Sequence, residues 1–261
     1  MAVVFAMAGW RLSRLRWQWW LLVWFVPAIV LAMIILARRV PKLELVAPFS
    51  WLMAGRREFA ILGPIAALLL TTPAPRLNPA RKRILVLTFM GLYVLWQSAL
   101  PFLWPALIRN RLAALTTRID SSGVCLQSTS YTCGPAAAVT ALRRVGINAG
   151  EGELAILLNT TPFTGTAPDE LATALAQRYA ADGLVCEYRA FDSIDQLPRD
   201  APTLAVIKYS FMMDHFLAIL KVDEKHVTVG DPAAGSVMLS RAEFEEKWRG
   251  TGIVLRRPPR R

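Results

Sequence analysis

A run of 21 residues without a single charge, "WQWWLLVWFVPAIVLAMIILA" at positions 17–37, limits the chain more than any other feature. A helix of about 20 apolar residues matches the hydrocarbon thickness of a bilayer. Arg11, Arg14 and Arg16 precede the run, and Arg38 and Arg39 follow it. Its tryptophans cluster at the start, where an interfacial belt would lie. The run is too long for the apolar core of a secretory signal, and no small-x-small cleavage site precedes Arg38. An uncleaved membrane helix is therefore expected at residues 17–37.

A second long uncharged run, "ILVLTFMGLYVLWQSALPFLWPALI", covers residues 84–108, with Pro101 and Pro105 expected to kink its far end. Between the two lies "FAILGPIAALLLTT", which is short for a span. Residues 56–72 are read as a third crossing, with apolar Leu45 to Met53 contributing beyond the Arg56–Arg57–Glu58 break; a re-entrant segment is the alternative. Three crossings put the N-terminus and residues 124–261 on opposite sides. Counting Lys and Arg does not orient the bundle, because seven fall on one side and eight on the other. The dense loop "RLNPARKR" is the cleaner cytoplasmic signal, and it places the C-terminal region outside the cytoplasm.

The net charge of +11 raises the question of nucleic acid. Residues 1–123 carry a net +12 and residues 124–261 a net −1, so the basic groups flank the apolar runs. Charge placed that way faces a membrane surface, and no nucleic-acid partner is expected. The three cysteines exclude a disulfide scaffold. Cys125 and Cys186 could pair in an oxidising compartment or stand as two buried thiols.

After a linker at 109–123 the pattern changes to short mixed elements. Thr132 is placed to N-cap a helix from Cys133 to about Val145, stopped by Gly146. "EGELAILL" and "APDELATALAQRYA" follow as helices, the second with Pro168 in its first turn. "GLVCEYRAF", "TLAVIKY", "HFLAILKV", "HVTVGDP", "AAGSVML" and "GIVLRR" read as strands. "SIDQLP" reads as a helical turn, and Ser240 with Glu243 makes a capping box for "RAEFEEKW". Helices first and strands later is α+β order, a helical layer on a mainly antiparallel sheet.

The chemistry concentrates in "QSTSYTCGPAAAVTALRRVG". A cysteine at a helix N-terminus faces free backbone N–H groups and the positive dipole end, both of which favour thiolate. Gly134 allows close approach of another segment, and Pro135 suits an early helix position. A buried thiol starting a helix is the plainer alternative. A thiolate catalyst needs a base, and only His215 and His226 exist. His215 opens an apolar strand, which would hold its ring in fixed orientation; His226 stands among charged turn residues and is expected to be exposed. Asp231, in "GDP" at the end of the next strand, can orient the histidine if the two strands form a hairpin. The Cys133 N–H and the Gln127 amide can stabilise an oxyanion.

Gln127, then Cys133-Gly134-Pro135, then His215, then Asp231-Pro232, in this order, resembles the C39 family of cysteine peptidases. "HFLAIL", "VGDPAAG" and "FEEKWRG" extend the resemblance over residues 124–255. The resemblance implies a papain-like fold with Cys133 as nucleophile, His215 as general base and then acid, Asp231 as orienting residue and Gln127 as oxyanion donor. It implies no metal and no cofactor, and cleavage of a peptide or protein substrate after a Gly-Gly leader. The family is best known as a domain of peptide-exporting transporters. Here no P-loop occurs and the apolar helices are too few for an exporter, so any exporter would be a separate partner beside the lipid bilayer. An inactive peptide-binding module and a thiol acyltransferase or transpeptidase are the alternatives.

Overall fold

The computed structural model describes residues 1–54, 57–210 and 213–258; Arg56 in the second expected span and residues 259–261 of the basic tail lie outside them. The chain divides into two compact units, Met1–Arg39 with Ala47–Trp104, and Val40–Val46 with Pro105–Arg261.

The first unit is helical. A short apolar helix, α1 (Ala2–Leu12), precedes α2 (Trp17–Arg39), α3 (Phe49–Met53) and α4 (Arg57–Thr71). Next come a 3-10 turn (Ala74–Arg76), α5 (Ala80–Val94), a π turn (Leu95–Ala99) and α6 (Leu100–Ala113), which runs on past this unit. Three stretches, Trp19–Arg39, Arg57–Arg76 and Ala80–Ala113, are long and apolar enough to cross a membrane. The middle one is 50% buried and the last only 6%, so α4 forms the centre of the bundle.

One ion pair and one arginine bound to backbone carbonyls fix the helix directions. Glu58, which opens α4, is buried, and a buried carboxyl needs a partner. Arg38, which closes α2, supplies it at 2.6 Å, so α2 and α4 run antiparallel. At the other end Arg76 donates to the Ser13 carbonyl at 3.0 and 2.7 Å and to the Leu15 carbonyl at 2.9 Å. Its guanidinium also lies 4.9 Å from the Trp20 ring centroid. Gly63 lets α4 approach the next long helix, because Ser98 occupies the space a Cβ would need and donates to the Phe59 carbonyl at 2.6 Å.

Two expectations are corrected here. Leu45 to Met53 do not lengthen the middle span: Leu45 ends a separate 3-10 turn, and 49–53 form α3 beside α2. The added length lies beyond Thr71, through Arg76. The disturbance expected from Pro101 and Pro105 takes the form of the π turn just before them. Proline cannot donate to the fourth carbonyl back and its ring crowds that oxygen; a wider turn relieves both faults while the helix continues.

The second unit is α+β. Its sheet has the order β3 (Val185–Ala190), β8 (Trp248–Arg256), β4 (Thr203–Ser210), β5 (Met213–Val222), β6 (His226–Asp231) and β7 (Gly235–Ser240), with every neighbour antiparallel. Three helices cover one face: α7 (Cys133–Arg144), α8 (Glu151–Leu157) and α9 (Pro168–Arg178). Alternate strand residues point to the other face, where Ala205, Leu217 and Val229 meet Phe244 of α10 (Arg241–Lys247). A two-stranded ribbon, β1 (Arg118–Ile119) with β2 (Cys125–Leu126), leads into α7.

Local signals explain the helix ends. Gly146 has φ +74°, and Ile147 and Gly146 N–H groups return to the Leu142 and Arg143 carbonyls, closing α7 with a Schellman motif. Pro168 starts α9, and Ser240 with Glu243 forms the expected capping box.

Residues 40–46 belong to this second unit. Their 3-10 turn, Pro41–Leu45, buries Pro41 and packs on β3 and β8. Lys42 reaches Asp192 at 3.4 Å, and the Tyr188 hydroxyl donates to Glu44 at 3.5 Å. Gly250, at φ +67°, passes so close that a Cβ would stand 2.7 Å from Lys42 Cε. The end of α6 belongs here too, with the Leu112 carbonyl occupying the place of a Cβ on Gly152.

Candidate active site

Helix α7 is alanine-rich on the face it buries, which lets it lie close against β5 and β6. Gly230 of β6 completes the fit, since a Cβ there would meet Val124 and Thr140 side-chain carbons at 3.0 to 3.3 Å. Cys133 is the first residue of this helix and is half-buried. The loop before α9 closes over the same end: Thr166 would stand 2.8 Å from a Cβ on Gly134. That contact leaves only glycine room beside Cys133.

Thr132 occupies the N-cap position but does not cap, contrary to expectation. Its hydroxyl turns back to the Thr129 N–H at 3.1 Å and carbonyl at 3.2 Å. Pro135, third in the helix, has no N–H for a cap to satisfy. Among the described residues the Cys133 N–H meets no protein acceptor, so the positive end of the helix stays open beside the sulfur.

His215 sits near the start of β5, opposite Ile207 of β4. β5 and β6 form a hairpin, and Asp231 ends β6. The His215 Nε2 lies 2.8 Å from Asp231 Oδ1, and the Cys133 side chain is within hydrogen-bonding reach of the ring. With Nε2 engaged, Nδ1 is the nitrogen left for sulfur. Asp231 Oδ1 also accepts the Ala233 N–H at 2.8 Å.

The charges of this cluster support one another. Burial by itself would lower the His215 pKa, but the Asp231 hydrogen bond and the contact with Cys133 outweigh it, raising the value to about 9. For Asp231, burial opposes ionisation. The His215 hydrogen bond, the Ala233 N–H and the His215 charge prevail and keep its pKa below the ordinary carboxyl value. Burial pushes the thiols of Cys125 and Cys186 up to about 12, and both are free. His226 stands apart, 3.8 Å from Asp223, with its side chain 42% exposed.

Gln127 joins the cluster through its backbone, whose N–H donates to the Pro232 carbonyl at 2.8 Å, directly after Asp231. Its Oε1 is buried without a hydrogen-bond partner among the described residues. Buried polar atoms of this kind call for a ligand or water. The two ends of an amide are interchanged by a half-turn, so the same position can offer a donor.

Two neighbours carry no signal in the sequence. Glu151 is fully buried; its carboxyl oxygens accept from the Ser128 N–H at 2.7 Å and the Ser128 hydroxyl at 2.6 Å. It thereby holds the segment between Gln127 and Cys133, but its place in "GEGEL" looks like an ordinary first-turn acid. Tyr209 lies with its ring centroid 5.4 Å from that of His215, although it is 65% exposed. Glu151→Ala is expected to strand the Ser128 N–H and lower stability by about 1–3 kcal/mol, read as a fall in Tm.

The family model described as Peptidase C39 family matches residues 121–260. An uncharacterized protein of Methanothermobacter thermautotrophicus is 31% identical over 144 residues, 55% of this chain and 95% of that protein. One from Methanothermobacter marburgensis is 32% identical over 131 residues, 50% of this chain and 86% of that protein. Among solved structures, the peptidase domain of Streptococcus ComA, a bifunctional ABC transporter of a quorum-sensing pathway, is 20% identical with TM-score 0.44, covering 51% of this chain and 96% of that one. A double-glycine-motif protease from an AMS/PCAT transporter, solved with its leader peptide, is 16% identical with TM-score 0.45, covering 55% and 95%. With the family model spanning more than half of its length, the chain belongs to the Peptidase C39 family.

Proposed function

We propose that the protein is a membrane-anchored cysteine peptidase that cuts a peptide or protein substrate with Cys133 as nucleophile. The observation that carries this reading is the single line of contacts Asp231–His215–Cys133, ending at a helix N-terminus whose first N–H is open. In this mechanism His215 takes the Cys133 proton, which leaves the negative charge on sulfur. The sulfur attacks the scissile carbonyl, and the carbonyl π electrons move to oxygen, where the Cys133 N–H and the Gln127 amide receive them. When the intermediate collapses, His215 Nδ1 gives its proton to the leaving nitrogen as the C–N bond breaks. The acyl group remains as a thioester. Water then attacks that carbonyl while His215 takes its proton, and the carboxyl product leaves as the thiolate returns. Asp231 keeps Nδ1 turned to sulfur throughout and does not itself change protonation.

Gln127→Ala should lower turnover about a hundredfold with little change in substrate affinity, read as kcat against KM, because the donor acts only on the developing oxyanion. A Gly-Gly pair before the cut bond is the first substrate motif to test, since one similar structure is described as a double-glycine-motif protease. Comparing peptide termini by mass spectrometry in cells holding the wild type or Cys133→Ala tests the function itself. A set of new termini that depends on Cys133 supports peptidase activity, and identical sets count against it.

The three long apolar helices favour three crossings, with the peptidase region on the side opposite the N-terminus. The end that gathers Arg11, Arg14, Arg16, Arg76, Arg81, Lys82 and Arg83 is assigned to the cytoplasm. An alkaline phosphatase fusion at the C-terminus should then be active, and a cytoplasm-dependent reporter there silent.

A further inference from the structure

The motif "WRG", Trp248 to Gly250, has no part in the chemistry above, yet its middle residue reaches the strand that carries His215. Arg249 donates from Nε at 2.8 Å and from Nη2 at 2.6 Å to Asp214 Oδ1. Its side chain is only 9% exposed, whereas that of Asp214 is 37% exposed, so a largely covered guanidinium reaches out to an acid at the surface. β8 and β5 are not neighbours; both pair with β4, so the arginine spans a whole strand to grip Asp214. Lys208, opposite Asp214 on β4, donates to the Glu246 carbonyl at 3.4 Å, a second link from the same hairpin to the same segment.

That hairpin needs outside support. The β4–β5 register shifts between Lys208 and Ser210, so the regular ladder breaks beside the residues flanking His215. The anchor is firm: Trp248 lies 5.6 Å from Phe191 and 5.4 Å from Phe244, and its Nε1 donates to the Thr251 carbonyl at 2.9 Å. Asp214 and His215 are consecutive in a strand and point to opposite faces. Fixing the Asp214 carboxyl therefore fixes the backbone from which the imidazole projects, while leaving the ring itself untouched.

We propose that Arg249 and Asp214 are a positioning pair that holds His215 in register with Cys133. The inference rests on the proposed roles of Cys133 and His215. The groups facing the imidazole are Cys133 from α7, Asp231 from β6 and the Tyr209 ring from β4; Asp214, Arg249 and Lys208 act on its backbone.

The test uses the full chain in detergent and iodoacetamide, with alkylation of Cys133 followed by mass spectrometry at pH 6.5 and pH 9. A thiolate paired with imidazolium reacts nearly as fast at the lower pH, whereas an unpaired thiol slows as protons are added. Asp214→Asn and Arg249→Gln should each lower the rate ratio (pH 6.5 to pH 9) about tenfold, the effect of one pKa unit. The exchanged pair Asp214→Arg with Arg249→Asp should return it to within about threefold of wild type, and Arg249→Lys should lie between. A purely structural role would lower Tm without moving the ratio. Single variants at the wild-type ratio, while His215→Ala collapses it, overturn the inference. So does an exchanged pair that melts like wild type yet stays as low as the single variants. A wild-type ratio in His215→Ala overturns the reading of the site, and the inference with it.

Discussion

Replacing Cys133 with alanine is expected to abolish cleavage and iodoacetamide labelling at pH 7 while leaving the fold in place. Alanine favours a helix start no less than cysteine, and the change removes one sulfur from a half-buried position, so Tm should hardly move. The other two thiols cannot substitute. With values pushed to about 12, Cys125 and Cys186 are thiolate at pH 7 in only about one part in 10⁵. Intact mass after labelling should therefore show one adduct on the wild type and none on Cys133→Ala. A variant that still yields product at the wild-type rate removes Cys133 from the mechanism.

His215→Ala should lower turnover by about 10²–10⁴-fold, the usual effect of losing a positioned acid–base group. The wild-type rate should also fall as pH rises through about 9, because the imidazolium that the proposed mechanism uses to protonate the leaving nitrogen is then lost. The sign follows from the two states. His215 has its ordinary value of 6.5 when unfolded and about 9 when folded, so the protonated form favours the folded chain. That contribution is complete below pH 6.5 and disappears as pH rises through 9. Asp231→Asn weakens the hydrogen bond that lifts the value and leaves burial opposing it. The alkaline limb of the rate profile should accordingly move to lower pH, and an unmoved limb would assign the raised value to another cause.

Much of this arrangement is legible in the sequence, because each strong signal is local. Cys133 at a helix start, His215 opening an apolar run and Asp231 before a proline are recognisable from their immediate neighbours. Their order along the chain adds the rest. Burial alternation and turn residues likewise announce the strands from Val185 onward. What stays hidden depends on contacts distant in sequence. Thr132 looks like a cap, and only the turn closed by Thr129 diverts its hydroxyl. Glu151 gains its meaning from Ser128, 23 residues earlier, and Arg249 from Asp214, 35 residues earlier. The middle apolar helix gains its length from a 3-10 turn that hydropathy does not register.

The seat of Pro41–Leu45 on β3 and β8 bears on how this protein can be taken apart. The stretch recognised by the family model starts at residue 121, but the folded unit also includes Val40–Val46 and the chain from Pro105. A soluble fragment cut at the family boundary would bare the ledge at Phe191 and Gly250 and the niche at Gly152 that Leu112 fills. Such a fragment is an open-sided version of the folded unit, and its solubility or any rate measured on it would not stand for the native protein's. The smallest faithful piece has to keep the strap, which lies between two apolar helices, so detergent belongs in the preparation from the start.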